Sequence, residues 1–405
     1  MLHILIGGAG CGKSTCLIQH LQKQLKAGEQ ILTLVPEQFS YEFDQKLYRI
    51  LGPVAFNQLE THSFKSLARA VFQRFGCVPD GKTNADELTK MALLYQAVLQ
   101  VSEREKKLQL LGKQCRQASF VSELAMMFTQ FRRSGIPPEQ LYNSSAELNG
   151  RLQEKMLDVF EIYQRYDQLL EQHQLKDTET DLSEAAAIAN GHDAFLGDVI
   201  FLDEFESFTE DEYQMLSVLL SSGKDLYIAL RMEHTRKEPF SLFAAVQETF
   251  CKIQDMAKKL RIPVETEVCD TPYRFQAAEL SWLNQHVFRN TQPFSGEAPH
   301  LHILEAQSPT EEVDYVCATI RRLLAKDHTL RCRDIAVLSN QMTDYRSILE
   351  TAMERYKLPY YMDEKESMLY TPLLVYLHTL LGILRQTRPD TELLMRLGKT
   401  SLTSC

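Results

Sequence analysis

Glycines, a lysine and two hydroxyls stand together in one short run, Gly7-Gly8-Ala9-Gly10-Cys11-Gly12-Lys13-Ser14-Thr15. The spacing is G-x-x-x-x-G-K-[ST], an arrangement that holds nucleotide phosphates. Glycines let successive backbone N–H groups turn toward phosphate oxygens. The Lys13 ammonium can reach the β- and γ-phosphates, and the Ser14 hydroxyl can ligate Mg²⁺. Cys11 reads as a small residue within the loop. A second pair, Asp203-Glu204, closes the apolar run Val199-Ile200-Phe201-Leu202. A carboxylate at such a strand end can hold a metal-bound water, and the next one can orient an attacking water or take its proton. Alone this pair is equally a solvated strand end. It gains weight because a phosphate loop needs such a partner.

The elements that must position these groups are legible in outline. Leu2-His3-Ile4-Leu5-Ile6 has strand length and composition. Cys16-Leu17-Ile18 through Leu25 spaces apolar residues at helical intervals, and Gly28 is placed to stop that helix. Strand, glycine-rich turn and helix together give the context that the motif requires and that a chance turn would lack. A second strand reads from Gln30 to Val35, ending in Pro36-Glu37-Gln38. A third lies near Gln58–Thr61, followed by His62-Ser63-Phe64 and a helix through Phe75. The β-α-β-α-β-α order predicts a parallel sheet covered by helices. Asp80-Gly81 marks a break. From about 84 to 190 the segments Leu88–Val101, Phe120–Arg132 and Leu152–His173 are amphipathic at helical period, with Gly135-Ile136-Pro137-Pro138 between two of them. Strand character returns at Asp198–Leu202 and Asp225–Leu230. Elements such as Gln292-Pro293 and Ala298-Pro299 suggest a linker. Leu301–Leu304, a helix from Glu311 to Ala325 and a strand Ile335–Leu338 then predict a new α/β unit. The expected division is 1–80 and 193–292 for one α/β domain, 81–192 for a helical insertion, and 293–405 for the start of another domain.

Bulk properties narrow the class. The 405 residues are 44% hydrophobic and 24% charged, with net charge −10. That is ordinary for a globular chain, and any nucleic-acid contact must come from a local groove. No stretch approaches the roughly 18 apolar residues of a membrane span, so no membrane partner is expected. Nine scattered cysteines without a C-x-x-C pair read as reduced cytoplasmic thiols, with neither a disulfide framework nor a metal site. About 190 residues separate Lys13 from Asp203. Small-molecule kinases and GTPases have no obvious use for so long a helical insertion, whereas a DNA motor uses one to build a strand channel. Neither an Asn-Lys-x-Asp nor a Leu-Ser-Gly-Gly-Gln motif appears.

Several ordered segments together resemble the AddB/RexB family, the B-type subunits of the bacterial ATP-dependent helicase/deoxyribonuclease. They are Leu2–Thr15, Leu34-Val35-Pro36-Glu37-Gln38, Ser63-Phe64 with Leu67-Ala68, Leu202–Glu212, Arg333–Leu338 with Tyr345, Pro359–Asp363, and Thr371-Pro372-Leu373. The resemblance implies a superfamily 1 helicase-like fold: a RecA-like P-loop domain 1A, an inserted helical 1B and the start of 2A. It implies MgATP as ligand, single-stranded or broken double-stranded DNA as substrate, and an AddA-like helicase–nuclease subunit as heterodimer partner in recombinational repair. In that family a nuclease domain with an iron–sulfur cluster lies far C-terminal. Nothing here matches it, so the chain reads as an N-terminal piece ending at Ser401–Cys405. By the same resemblance, Gln38, Ser63 and Phe64 fall where such helicases contact single-stranded DNA, although a core role suits Phe64 better.

The chain departs from active helicases of this class. No adenine-recognition glutamine precedes the loop, Phe205-Glu206 follows the acidic pair where Gln is usual, and Leu230-Arg231-Met232-Glu233 has no glutamine. ATP binding is therefore better supported than ATP-driven unwinding. The competing reading is a non-catalytic P-loop scaffold that docks a partner and holds structural ATP; a small-molecule phosphotransferase fits the insertion poorly. Among other residues, His62 reads as a polar strand end, Arg132-Arg133 as a solvated helix end, Trp282 as core or interface, and Asp334 as a turn cap.

Overall fold

In the computed structural model the described residues are 1–75, 82–104, 108–113, 117–146, 148–177, 181–235, 241–287, 293–362, 371–385, 391–392 and 395. The expected break at Asp80-Gly81, part of the 291–300 linker, Asp363 and the segment Ser401–Cys405 lie outside them.

Eight strands are present among these residues: β1 (Leu2–Gly7), β2 (Ile31–Leu34), β3 (Leu59–His62), β4 (Thr83–Asn84), β5 (Leu175–Lys176), β6 (Val199–Leu202), β7 (Asp225–Arg231) and β8 (Val264–Val268). Six form one parallel sheet in the order β3-β2-β6-β7-β1-β8. Its central strands carry near-continuous apolar runs because both faces are covered. Alternate residues go to opposite faces. Leu2, Ile4, Ile6, Ile200, Leu202, Leu226, Ile228 and Leu230 pack with the helices Phe64–Phe75, Asp181–Gly191, Glu210–Ser222 and Ala244–Lys259. Leu5, Val199, Phe201, Tyr227 and Ala229 pack with the helices Lys13–Lys26 and Ser40–Leu51. The edge strands carry charge instead, Glu60 in β3 and Glu265 and Glu267 in β8, which protects unpaired edges from further pairing.

The predicted helical segment is present as Glu87–Leu99, Ala118–Arg133, Pro138–Ser145 and Arg151–Gln172. These helices bury their own core, including Leu94, Ala97, Phe128, Ile162 and Tyr163. The β4–β5 pair ties the two ends of this region together; at two residues per strand it leaves no periodic signal in the sequence. Arg132 corrects the sequence reading. Arg133 is exposed, but the Arg132 guanidinium is mostly buried, ion-paired with Asp167 and with Asp177 (3.3 Å). It also lies 5.6 Å from the ring centres of Tyr163 and Tyr166. Lys90 reaches Asp177 as well, at 2.7 Å. A basic pair at a helix end looks solvated when the acids that will enclose it lie tens of residues away.

The chain divides into Met1–His300 and Leu301–Cys405. The second unit holds the helices Pro309–Lys326, Met342–Arg355 and Pro372–Arg385, with a core of Val313, Cys317, Ile320, Leu349, Ala352, Met353 and Leu358. Ser308 caps the first by accepting the Glu311 N–H, and Pro309 occupies the first turn. The strands expected at 301–304 and 335–338 are absent, and no strand occurs among the described residues of this unit. Ile303 and Leu338 are 94% and 91% exposed. An apolar run becomes a strand only when a neighbouring backbone completes its ladder, and among the described residues none does. No helix among them is long and apolar enough to cross a membrane.

Asp158 supports the helical region most directly. Its carboxylate is 1% exposed and accepts the backbone N–H groups of Gln109, Leu110 and Leu111 at 2.8, 2.8 and 2.9 Å. Asp158→Ala should lower unfolding free energy by at least ~2 kcal/mol, since bonds to a charged group contribute ~1.5–3 kcal/mol each and water replaces some of them. Chemical denaturation giving a parent-like midpoint would show that the turn closes without it.

Candidate nucleotide-binding site

The loop leaving β1 is shaped by its glycines. Gly10 and Gly12 have φ of +73° and +81°, the left-handed region that favours glycine. A Cβ on Gly10 would also meet the Arg274 Cβ at 2.4 Å. Gly12 is the N-cap of the helix Lys13–Lys26 and supplies no side chain to it, so side-chain capping does not use up the N–H groups of the first turn. Lys13 donates to the Gly8 carbonyl at 2.7 Å, which holds its ammonium over the loop. Burial pulls the Lys13 pKa down, and Arg231 pushes the same way.

The parallel register brings the other groups to the same edge. Gly7 is opposite Arg231, and Leu202 is opposite both Leu34 and Ile228. Asp203 follows directly, its N–H donating to the Leu34 carbonyl at 3.2 Å. Asp203 is 4% exposed. One carboxylate oxygen, Oδ1, accepts the Glu204 N–H at 2.9 Å; the other, Oδ2, is buried without a hydrogen-bond partner. Burial raises the Asp203 pKa, the neighbouring Ser14 hydroxyl opposes this, and the Glu204 charge adds to it. An unpartnered buried carboxylate oxygen beside a serine hydroxyl suits a hard, oxygen-seeking divalent cation such as Mg²⁺. Glu204 turns the chain with φ of +64°, a strained conformation for a residue with a side chain.

These residues share one cavity of about 1000 Å³, lined by Ala9 through Cys16 together with Lys46, Asp203, Glu204, Arg231, Tyr273 and Arg274. A second cavity of about 530 Å³ adjoins it and contains Gln38, Ser63 and Phe64. Glu204, Phe205, Glu206 and Arg231 line both. Arg231 pairs with Glu206 at 3.4 Å and Glu204 at 3.8 Å. The three candidate DNA-contact residues are thus together, in different settings. Gln38 is exposed. Ser63 accepts the Ser66 N–H at 3.3 Å at the start of its helix. Phe64 is 4% exposed, packed edge-on against Phe205 and Phe208.

The remaining residues singled out in the sequence have local roles. His62 lies 3.3 Å from the Ser66 hydroxyl and 3.7 Å from Glu60. Asp334 accepts the Arg331 N–H at 3.0 Å and so caps a turn. Trp282 stacks on His286 and leans on Phe294.

Sequence reasoning missed Lys46, Tyr273 and Arg274, and noted Arg231 only as a position without glutamine. The segment 269–274 covers the loop because Cys269 donates to the Ile6 carbonyl at 2.7 Å and Arg274 to that of Gly10 at 3.3 Å. Its position depends on β8, whose Val-Glu-Thr-Glu-Val pattern is an alternation that could have been read as a strand.

A family model described as "ADDB, N-terminal" matches residues 4–284. The chain is similar to the B-type subunit of the ATP-dependent helicase/deoxyribonuclease of Clostridium tetani (strain Massachusetts / E88), 28% identical over 95% of this chain and 34% of that protein. The proteins of the same name from Natranaerobius thermophilus and Clostridioides difficile (strain 630) are 27% and 26% identical over 98% and 99% of this chain, and 35% of each relative. The chain therefore spans about a third of the length of the curated relatives it matches.

The raised Asp203 pKa has a sign that can be checked. Between the ordinary carboxylate range and its raised value, the folded chain holds a proton that the unfolded chain has released, so stability falls as pH climbs through that window. Asp203→Asn keeps an oxygen for the Glu204 N–H and removes the buried charge. At neutral pH it should melt at or above the parent temperature while weakening the Mg²⁺ dependence of nucleotide binding. A clear drop in melting temperature would contradict the strained-carboxylate account.

Proposed function

Because the chain belongs to the family described as "ADDB, N-terminal", we propose that it is the ATP- and DNA-binding N-terminal region of an AddB-type helicase/deoxyribonuclease chain that processes DNA double-strand breaks in the cytoplasm. One observation carries the nucleotide part: Lys13, Ser14 and Asp203 line a single cavity at the carboxyl ends of parallel strands, the usual ligand position in open α/β sheets. In this reading residues 1–80 and 193–292 are a RecA-like 1A domain, 81–192 a 1B-like insertion and 293–405 the opening of a 2A-like unit.

The chemistry follows from the geometry. Triphosphate oxygens accept N–H groups of the loop and the first helical turn, where the helix end adds positive partial charge. Lys13 exchanges the Gly8 carbonyl for the β- and γ-phosphates. Ser14 and Asp203 would hold Mg²⁺, which would supply positive charge to the triphosphate oxygens. Glu204 orients water and takes its proton. Single-stranded DNA occupies the neighbouring cavity through Gln38 and Ser63, with Phe64 shaping its wall from behind. An AddA-like helicase–nuclease is the partner.

A second reading, structural ATP in a scaffold that docks and regulates a partner helicase–nuclease, draws support from Arg231. Its ion pairs with Glu204 and Glu206 engage the carboxylate that hydrolysis requires, and no glutamine stands there instead.

Lys13→Ala should weaken MgATP binding at least ~tenfold, about 1.4 kcal/mol; equal calorimetric affinities for parent and variant would remove the phosphate-loop assignment. Glu204→Gln should retain nucleotide and cut turnover ~10²-fold or more. A parent that binds ATP and shows no turnover, alone or with single-stranded DNA, would select the scaffold reading; unchanged turnover in Glu204→Gln would remove the base assignment.

A further inference from the structure

Cys16 and His20 lie one turn apart on the helix that leaves the phosphate loop, so they share a face. Glu267 stands near the end of β8 and meets both. Cys16 Sγ is 3.3 Å from Glu267 Oε1, and His20 Nε2 is 3.2 Å from Glu267 Oε2. One donor atom from each of Cys16, His20 and Glu267 lies within 4.8 Å of the others.

We infer that Cys16, His20 and Glu267 form a site for a soft or borderline divalent metal of the zinc class, joining the phosphate-loop helix to the edge strand. Metal–ligand bonds of about 2.0–2.3 Å at tetrahedral angles place ligand atoms roughly 3.3–3.8 Å apart. The thiol–carboxylate and imidazole–carboxylate separations already fall close to that range. A sulfur, an imidazole and a carboxylate favour zinc over magnesium, which prefers an all-oxygen shell. The donors are distinct from Ser14 and Asp203. The His20 ring is also oriented from behind: it stacks on Tyr227 at 5.2 Å, and the Tyr227 hydroxyl accepts from Gln24 at 3.2 Å. Such a metal would fasten the first turns of the loop helix to β8, whose trailing segment covers the loop.

Cobalt provides the test, because tetrahedral cobalt bound to thiolate absorbs strongly in the visible. The full chain, reduced and stripped of metal, is titrated with Co²⁺ in excess Mg²⁺. The expected result is one equivalent bound with thiolate–cobalt bands, displaced by Zn²⁺ and accompanied by a rise in melting temperature. Cys16→Ser should abolish the bands. His20→Ala and Glu267→Ala should weaken binding by more than the ~10–100-fold typical of losing an outer partner. Glu267 is half-exposed, so its variant tests the site even if Cys16→Ser fails to fold. Absence of such bands, or bands unchanged in the His20 and Glu267 variants, overturns the proposal.

Discussion

The in-register carboxyl edge of the parallel sheet is the constraint on which the rest of the structure depends. Backbone pairing sets Gly7 beside Arg231, and Asp203 beside the end of β2. Everything chemically active then hangs from strand ends held by a buried ladder. The apolar runs of β1, β6 and β7 fix that ladder, because a slip of one residue would carry Leu2, Ile4 and Ile6 to the opposite face. The loop glycines, the Asp203 carboxylate and Arg231 converge as a result of register and need no direct contacts among themselves.

Several groups at this edge are held against their own preferences. Asp203 is buried with an unpartnered oxygen, Lys13 is desolvated, and Glu204 adopts a left-handed turn. Strained backbone and perturbed ionisation commonly mark functional positions. Two buried carboxylates of the helical region are treated differently. Asp158 receives three N–H donors, and Asp177 meets Arg132 and Lys90. The contrast separates charge that secures the fold from charge left available to a ligand. Glu204, Glu206 and Arg231 line both cavities, so a change in their pairing would be felt on both sides.

The strands and helices nearest the loop were legible because their signals are local: an apolar run, a glycine turn, a 3.6-residue stripe. The same locality explains what was missed. Arg132 looked solvated because Asp167 and Asp177 lie more than thirty residues away. The segment 269–274 gave no sign of covering the loop, since only the β8 ladder brings it there. The strands expected at 301–304 and 335–338 had the right composition and lacked partners among the described residues. Phe64 was legible as a core residue by its type, whereas its place in the wall of the second cavity was not. Cys16 and His20 are separated from Glu267 by about 250 residues, a pairing that spacing alone does not reveal.

A crystal structure of the chain grown with Mg²⁺ and a non-hydrolysable ATP analogue would test the central claim most directly. The account predicts the β- and γ-phosphates against the backbone of residues 10–14, Lys13 released from the Gly8 carbonyl, and an ion between Ser14 and a water held by Asp203. Nucleotide bound away from this loop, or a loop that excludes it at saturating concentration with Lys13 still on Gly8, would contradict it.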